Sequence, residues 1–169
     1  PAISTGFSAS FTAAGYIDCG DITGGAGFTE LSVEAWIKTT QSGSYFISKD
    51  GSGQNTGDAS FRVISGKLAW SGVVGTAIVT GSSDVDDGEW HHVVMSYDGS
   101  NYRLYVDGAL DGSAAVSSDT IWDGTQPFFI GGVLGTSSFS FSGGIDEVAV
   151  YDYGLSPTQV LEHYNVGTS

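Results

Sequence analysis

Positive charge is scarce in this chain. Five Lys and Arg stand against nineteen Asp and Glu, giving a net charge of −14 over 169 residues. Binding to phosphate backbones or anionic membrane surfaces needs clustered cations, so the charge argues against both partners. Cysteine is nearly absent: Cys19 stands alone, and no intrachain disulfide can form. No apolar run approaches the roughly 18 residues that a membrane helix needs. No signal-peptide pattern is legible. Pro1 is a residue type left behind when an initiator methionine is removed, which reads as a chain made without a secretion signal. A trimmed secreted domain would begin in the same way. Sustained helical periodicity is missing from the interior, and no repeat or linker stands out.

What remains is apolar residues at 40%, charged residues at 14% and 26 glycines. The charged fraction falls well below the usual quarter or so. Few charges among many Gly, Ser and Thr fit a β protein of short strands and many turns. The length fits one domain over residues 1–169, large enough to bury a core without staples. Much of the acidity reads as turn chemistry. Six aspartates precede glycine, at Asp50, Asp87, Asp98, Asp107, Asp111 and Asp123, and both residue types tolerate positive φ.

Strand-like runs recur between turn signals. "GFSASFTAAGYIDCG" reads as strand, glycine turn, strand. In "FTELSVEAWIKTT", Leu31, Val33, Ala35 and Ile37 face one way and Ser32, Glu34, Trp36 and Lys38 the other. "ASFRVISGKLAW" predicts a hairpin with Ser65-Gly66 at its tip, and "NYRLYVDGALDGSAAV" one around Asp107-Gly108. "SYFISKDG", "GTAIVTGSSDVDDGEW", "PFFIGGVLG" and "FSGGIDEVAVYDY" each carry a further strand. One helix announces itself in "GLSPTQVLEHY". Ser156 suits the N-cap, Pro157 the first turn, and Gln159 completes a capping box. Leu155 and Val160 are placed as a hydrophobic staple, and the helix is expected from Pro157 to about Asn165.

"DGEWHHVVMSYDG" concentrates the titratable chemistry. Neighbours on a strand point to opposite faces, so His91 and His92 cannot serve together as adjacent ligands on one metal. Both faces of the run are apolar, which predicts a strand covered on both sides with a buried, hydrogen-bonded histidine. The acidic loop "SSDVDDGEW" fails as an EF-hand. Gly88 stands fifth from Asp84 instead of sixth, and Met95 takes the place of the closing Glu.

Three stretches together resemble one family. "DGEWHHVVMSYDGSNYRLYVDGALDG", "FSGGIDEVAVYDYGLSPTQVLEHY" and "FTELSVEAWIKTT" with "FISKDG" are similar to the signatures of laminin G-like jelly-roll domains of the concanavalin A-like lectin/glucanase superfamily. The opening departs from the pattern, with Phe11-Thr12-Ala13 where the family carries Phe-Asp-Gly. The resemblance implies an all-β fold, an antiparallel β-sandwich (jelly roll, concanavalin A-like) closed by one short C-terminal helix. It also implies a structural calcium (Ca2+) held by Asp146, with backbone carbonyls near Ser10 and in the turn at Gly51.

Catalysis of the glucanase kind needs two carboxylates about 5–5.5 Å apart on one face. None of the five glutamates begins the Glu-x-Asp-x-Glu or Glu-x-Asp-x-x-Glu pattern, so a non-enzyme is expected. Sugar binding needs exposed aromatic rings. Trp122, in the turn-rich "DTIWDGTQP", is the first candidate, with Trp70, Tyr45 and Tyr102 beside it. The reading is a non-catalytic binding or adhesion module for a glycan or another cell-surface ligand, outside the cell or on a virion surface. The alternatives are a phage capsid decoration or fibre subunit, partnered by capsid or fibre proteins or by copies of itself, and an accessory domain of a secreted polysaccharide-degrading enzyme.

Overall fold

The computed structural model describes residues 8–12, 15–25, 27–49, 60–71, 77–116, 125–133 and 139–169. Two six-stranded sheets face each other. Sheet A contains, in spatial order, β1 (Ala9–Phe11), β12 (Gly143–Tyr151), β3 (Leu31–Lys38), β8 (Trp90–Tyr97), β9 (Asn101–Val106) and β10 (Ala109–Ala115). Sheet B contains β2 (Ile17–Asp18), β11 (Phe128–Ile130), β4 (Ser44–Lys49), β5 (Ser60–Ile64), β6 (Lys67–Ser71) and β7 (Ala77–Asp84). Every ladder between these strands is antiparallel. The two strands read in "GFSASFTAAGYIDCG" belong to different sheets, so that turn carries the chain across the sandwich.

The core lies between the sheets, built by alternation. Leu31, Val33, Ala35 and Ile37 of β3 meet Val93, Met95 and Tyr97 of β8 and Phe61, Val63, Leu68 and Trp70 of β5 and β6 in one buried cluster. Both expected hairpin tips form. Ser65 and Gly66 take φ of 48° and 80°, and Asp107 and Gly108 take 52° and 79°. Two successive positive φ values are what a two-residue turn needs to follow the twist of its strands.

The outward face of β3 is buried as well, because α1 (Pro157–Gly167) lies over it. The helix starts where the sequence predicts, with the Ser156–Gln159 capping box formed, and runs two residues past Asn165. Val160 and Leu155 pack on Val94 and Tyr105. Two serines fasten the connection into the helix. Ser32 donates to the Tyr153 carbonyl at 3.0 Å and accepts from Leu155 N–H at 2.8 Å. Ser96 donates to the Leu155 carbonyl at 2.9 Å.

The two lateral edges of the sandwich differ. At one, β10 and β7 meet across the sheets. Asp111 accepts from the amides of Ser82 (3.1 Å) and Ser83 (2.9 Å) and from both hydroxyls (3.0 and 2.7 Å). A Cβ at Gly81 would stand 1.8 Å from this carboxylate, so the clasp requires glycine there. Asp111-Gly112 is therefore not a turn. It occupies a register shift inside β10, where its carboxylate bridges the two sheets. Asp87 and Asp98 do cap turns, accepting from the amides of Glu89 and of Ser100 and Asn101. Asp50 and Asp123 lie outside the described residues. At the opposite edge, β1 covers only Gly143–Ile145 of β12.

Candidate functional site

The outward face of sheet B follows from its register. Phe61, Val63, Leu68 and Trp70 turn into the core, so Ser60, Arg62, Ala69 and Ser71 turn out. Tyr45 pairs with Arg62, Arg62 with Ala69, and Ala69 with Thr80, forming one row across the sheet. Ser48, Ser60 and Ser71 form the next row, with Phe129 beyond Ser48. The face is thus a floor of small side chains with a ring and a cation at one end. Ser71 Oγ is buried and has no hydrogen-bond partner, an orphan hydroxyl of the kind a polar ligand or water satisfies.

Tyr45 and Arg62 are both half-buried and hold one another. Arg62 Nη1 donates to Tyr45 Oη at 2.8 Å, and the guanidinium carbon lies 5.3 Å from the ring centroid. Phe139 packs against the same ring edge-on, with centroids 5.4 Å apart. Contact with the ring fixes the planar guanidinium in orientation, which favours bidentate recognition of a carboxylate or of vicinal hydroxyls.

The structure separates the four aromatic candidates. Tyr45 stands on the outward face. Trp70 and Tyr102 are corrections: at 0% and 1% exposure they touch each other across the core, centroids 6.1 Å apart, and offer no ring to a ligand. Strand parity decides this, since Trp70 shares a face with Leu68. Trp122 lies outside the described residues. Arg62 was not singled out from the sequence, although its alternation with Phe61 and Val63 in the predicted hairpin already placed it outward.

Asp146 sits at a register shift of β12, half-buried, with Oδ1 accepting the Glu147 amide at 2.9 Å. Glu147 takes φ of 48° at this bulge. Ser10 pairs with Gly144 on the neighbouring strand, and Gly51 lies outside the described residues. A carboxylate oxygen with backbone carbonyls is a donor set of the type calcium accepts. Among the described residues, no group of three or more His, Cys, Asp and Glu is placed to hold a metal ion.

The largest titratable cluster lies elsewhere, between β3 and α1. Tyr151 Oη donates to Glu34 Oε1 at 2.6 Å, while His163 Nδ1 and His92 Nε2 lie 2.9 and 3.6 Å from Oε2. Burial pushes the Glu34 carboxyl up, but the hydrogen bonds from His92, His163 and Tyr151 outweigh it and hold the group at about 2. Burial, together with the bond to Glu34, pushes the Tyr151 hydroxyl well above the usual range. Glu34 is thus the acceptor hub that seats the helix. Glu30, which shares its parity, is exposed before β3 begins, so the two do not form a paired acid and nucleophile. His92 is the buried histidine expected, at 2% exposure. His91 faces the other way and bridges two turns, 2.9 Å from Asp107 and 3.1 Å from Asp87. The bond to Asp107 raises its pKa above the ordinary value.

A sequence model described as the concanavalin A-like lectin/glucanases superfamily matches residues 11–161. Mouse "Sushi, von Willebrand factor type A, EGF and pentraxin domain-containing protein 1" is 33% identical over 97 residues, which is 52% of this chain and 3% of that protein. The chain therefore spans a small fraction of that curated relative. Among solved structures, the CBM40 of Ruminococcus gnavus IT-sialidase bound to alpha2,3 sialyllactose superposes with a TM-score of 0.78 at 16% identity, over 93% of this chain and 95% of that one. Domain 4 of AbnA, a GH43 extracellular arabinanase from Geobacillus stearothermophilus in complex with arabinotriose, gives 0.73 at 20% identity, over 92% of this chain and 75% of that one. At these identities the structural likeness is one of fold. With the family model covering most of its length, the chain belongs to the concanavalin A-like lectin/glucanase superfamily.

Proposed function

We propose that the chain is a glycan-binding module acting outside the cell, and that it takes its ligand on the outward face of sheet B. The observation that carries this is the pre-oriented Tyr45–Arg62 pair beside a floor of small residues. An aromatic ring stacks on the C–H face of a sugar, and the guanidinium fork binds a carboxylate or paired hydroxyls. The small side chains of Ser60, Ala69 and Ser71 leave room for a sugar ring to approach the sheet. Support from fold comes from the sialyllactose-bound module and the arabinotriose-bound domain, both carbohydrate binders in their own proteins. The arabinanase domain also supports the reading as an accessory domain of a polysaccharide-degrading enzyme. Display on a virion, as a decoration or fibre subunit, is a setting in which the same face would serve, and the sandwich itself does not select between the two.

A glycan array carrying neutral and carboxylated oligosaccharides tests the proposal. Binding to at least one class, lost in Tyr45→Ala and weakened in Trp122→Ala, supports it; no binding across the array contradicts it.

Calcium at Asp146 belongs to the same proposal. Asp146 would hold the ion with carbonyls at Ser10 and Gly51, where the ion would tie β1 to β12. At free calcium 100 times its Kd the ion adds about 2.7 kcal/mol, or roughly 5–10 °C in melting temperature for a domain of this size. Equal melting temperatures in calcium and in chelator would remove the claim.

A further inference from the structure

The open edge of the sandwich carries a second surface, remote from the outward face of sheet B. Past Ile145, β12 runs on to Tyr151 with β3 on one side and, among the described residues, no strand on the other. Five residues of strand, Glu147 to Tyr151, thus present an edge about 17 Å long. Beneath this edge the sheets stand apart around a groove of about 500 Å³, with Val148 and Val150 of β12 on one wall and Phe128 and Ile130 of β11 on the other. Ile22 and Tyr153, 41% and 42% exposed, lie at its mouth.

An unpaired strand edge and an apolar groove select for different parts of one ligand. The edge requires a backbone that donates and accepts in register, which a sugar or an acyl chain lacks. The groove requires apolar side chains at alternate positions, because alternate residues of an added strand point into it. The rim supplies the third requirement. Asp152 lines the mouth and Glu147 stands on the edge itself, both exposed, and the whole molecule carries −14.

We propose that the β12 edge and its groove dock an extended peptide segment of a partner protein, apolar at alternate residues and basic between them. The added strand extends sheet A, fills the inter-sheet groove and pairs its cations with Asp152 and Glu147. The closed edge shows why only one side of the sandwich offers this. There Asp111, Gly81 and Gly112 bring β10 and β7 together and leave no groove.

The probe is an acetylated, amidated heptapeptide, Lys-Val-Lys-Phe-Lys-Val-Lys, titrated into the full chain and compared with the same peptide N-methylated at alternate residues. N-methylation keeps charge and side chains but removes the strand's donors. The expected results are at least about tenfold weaker binding of the methylated peptide and slowed amide exchange confined to residues 147–151. Asp152→Lys, an exposed rim substitution that leaves the core untouched, weakens the unmodified peptide severalfold. Equal binding of both peptides, which marks adhesion to an acidic surface only, overturns the proposal. So does slow exchange at 147–151 in the free chain with no peptide bound, which marks an edge already covered by the chain itself or by a second copy.

Discussion

Glu34 ties a strand to a helix through three side chains, and its protonation sets an acid limit on stability. Its carboxyl lies at about 2 in the fold against an ordinary 4.5. The stabilisation it supplies is therefore complete above about pH 4.5 and is lost as pH falls toward about 2, on the order of 3 kcal/mol in all. His91 works in the opposite direction. Its raised pKa gives stability that is complete below about 6.5 and is lost as pH rises through the folded value. Melting temperature is expected to plateau between about pH 4.5 and 6.5. Glu34→Gln removes the acid limb and His91→Asn the alkaline one; an unchanged profile in both variants would contradict these assignments. The sequence showed that His91 and His92 face apart and that one is buried. It did not show the partners, because Glu34, Tyr151 and His163 lie far apart along the chain and meet only when α1 docks. Trp70 and Tyr102 were misplaced for a related reason: closeness to a turn says less about exposure than strand parity does.

Strand and helix identity was legible because alternation, turn pairs and capping residues are local. Both hairpin tips and the Ser156–Gln159 cap form where the residues predict. Asp111-Gly112 was not legible, since an Asp-Gly pair in a strand bulge has the same letters as one in a turn. Its function depends on β7, nearly thirty residues earlier, coming alongside. Four hydrogen bonds converge on that carboxylate. Asp111→Ala leaves two amides without this acceptor and is expected to cost about 2 kcal/mol, with faster amide exchange in β7 and β10 and no change in the β4–β5 hairpin. Urea unfolding and residue-resolved exchange measure both. An unchanged midpoint would mean the two sheets hold this edge without the clasp.

Across the whole molecule, fold and chemistry separate. The motif at Trp90–Tyr97 identifies the scaffold, and both of its faces are committed, one to the core and one to α1. The other sheet keeps an outward face, and there Tyr45 and Arg62 meet although seventeen residues part them in sequence. Net charge of −14 makes this arginine notable, as one of only five cations. The most direct test is calorimetric titration of the best array ligand into the wild type, Tyr45→Ala, Arg62→Ala and, on sheet A, Lys38→Ala. The account predicts at least about a tenfold loss for each of the first two variants, corresponding to about 1.4 kcal/mol, with melting temperatures near wild type and Lys38→Ala unaffected. Full affinity in both Tyr45→Ala and Arg62→Ala would contradict it and place the ligand on another face.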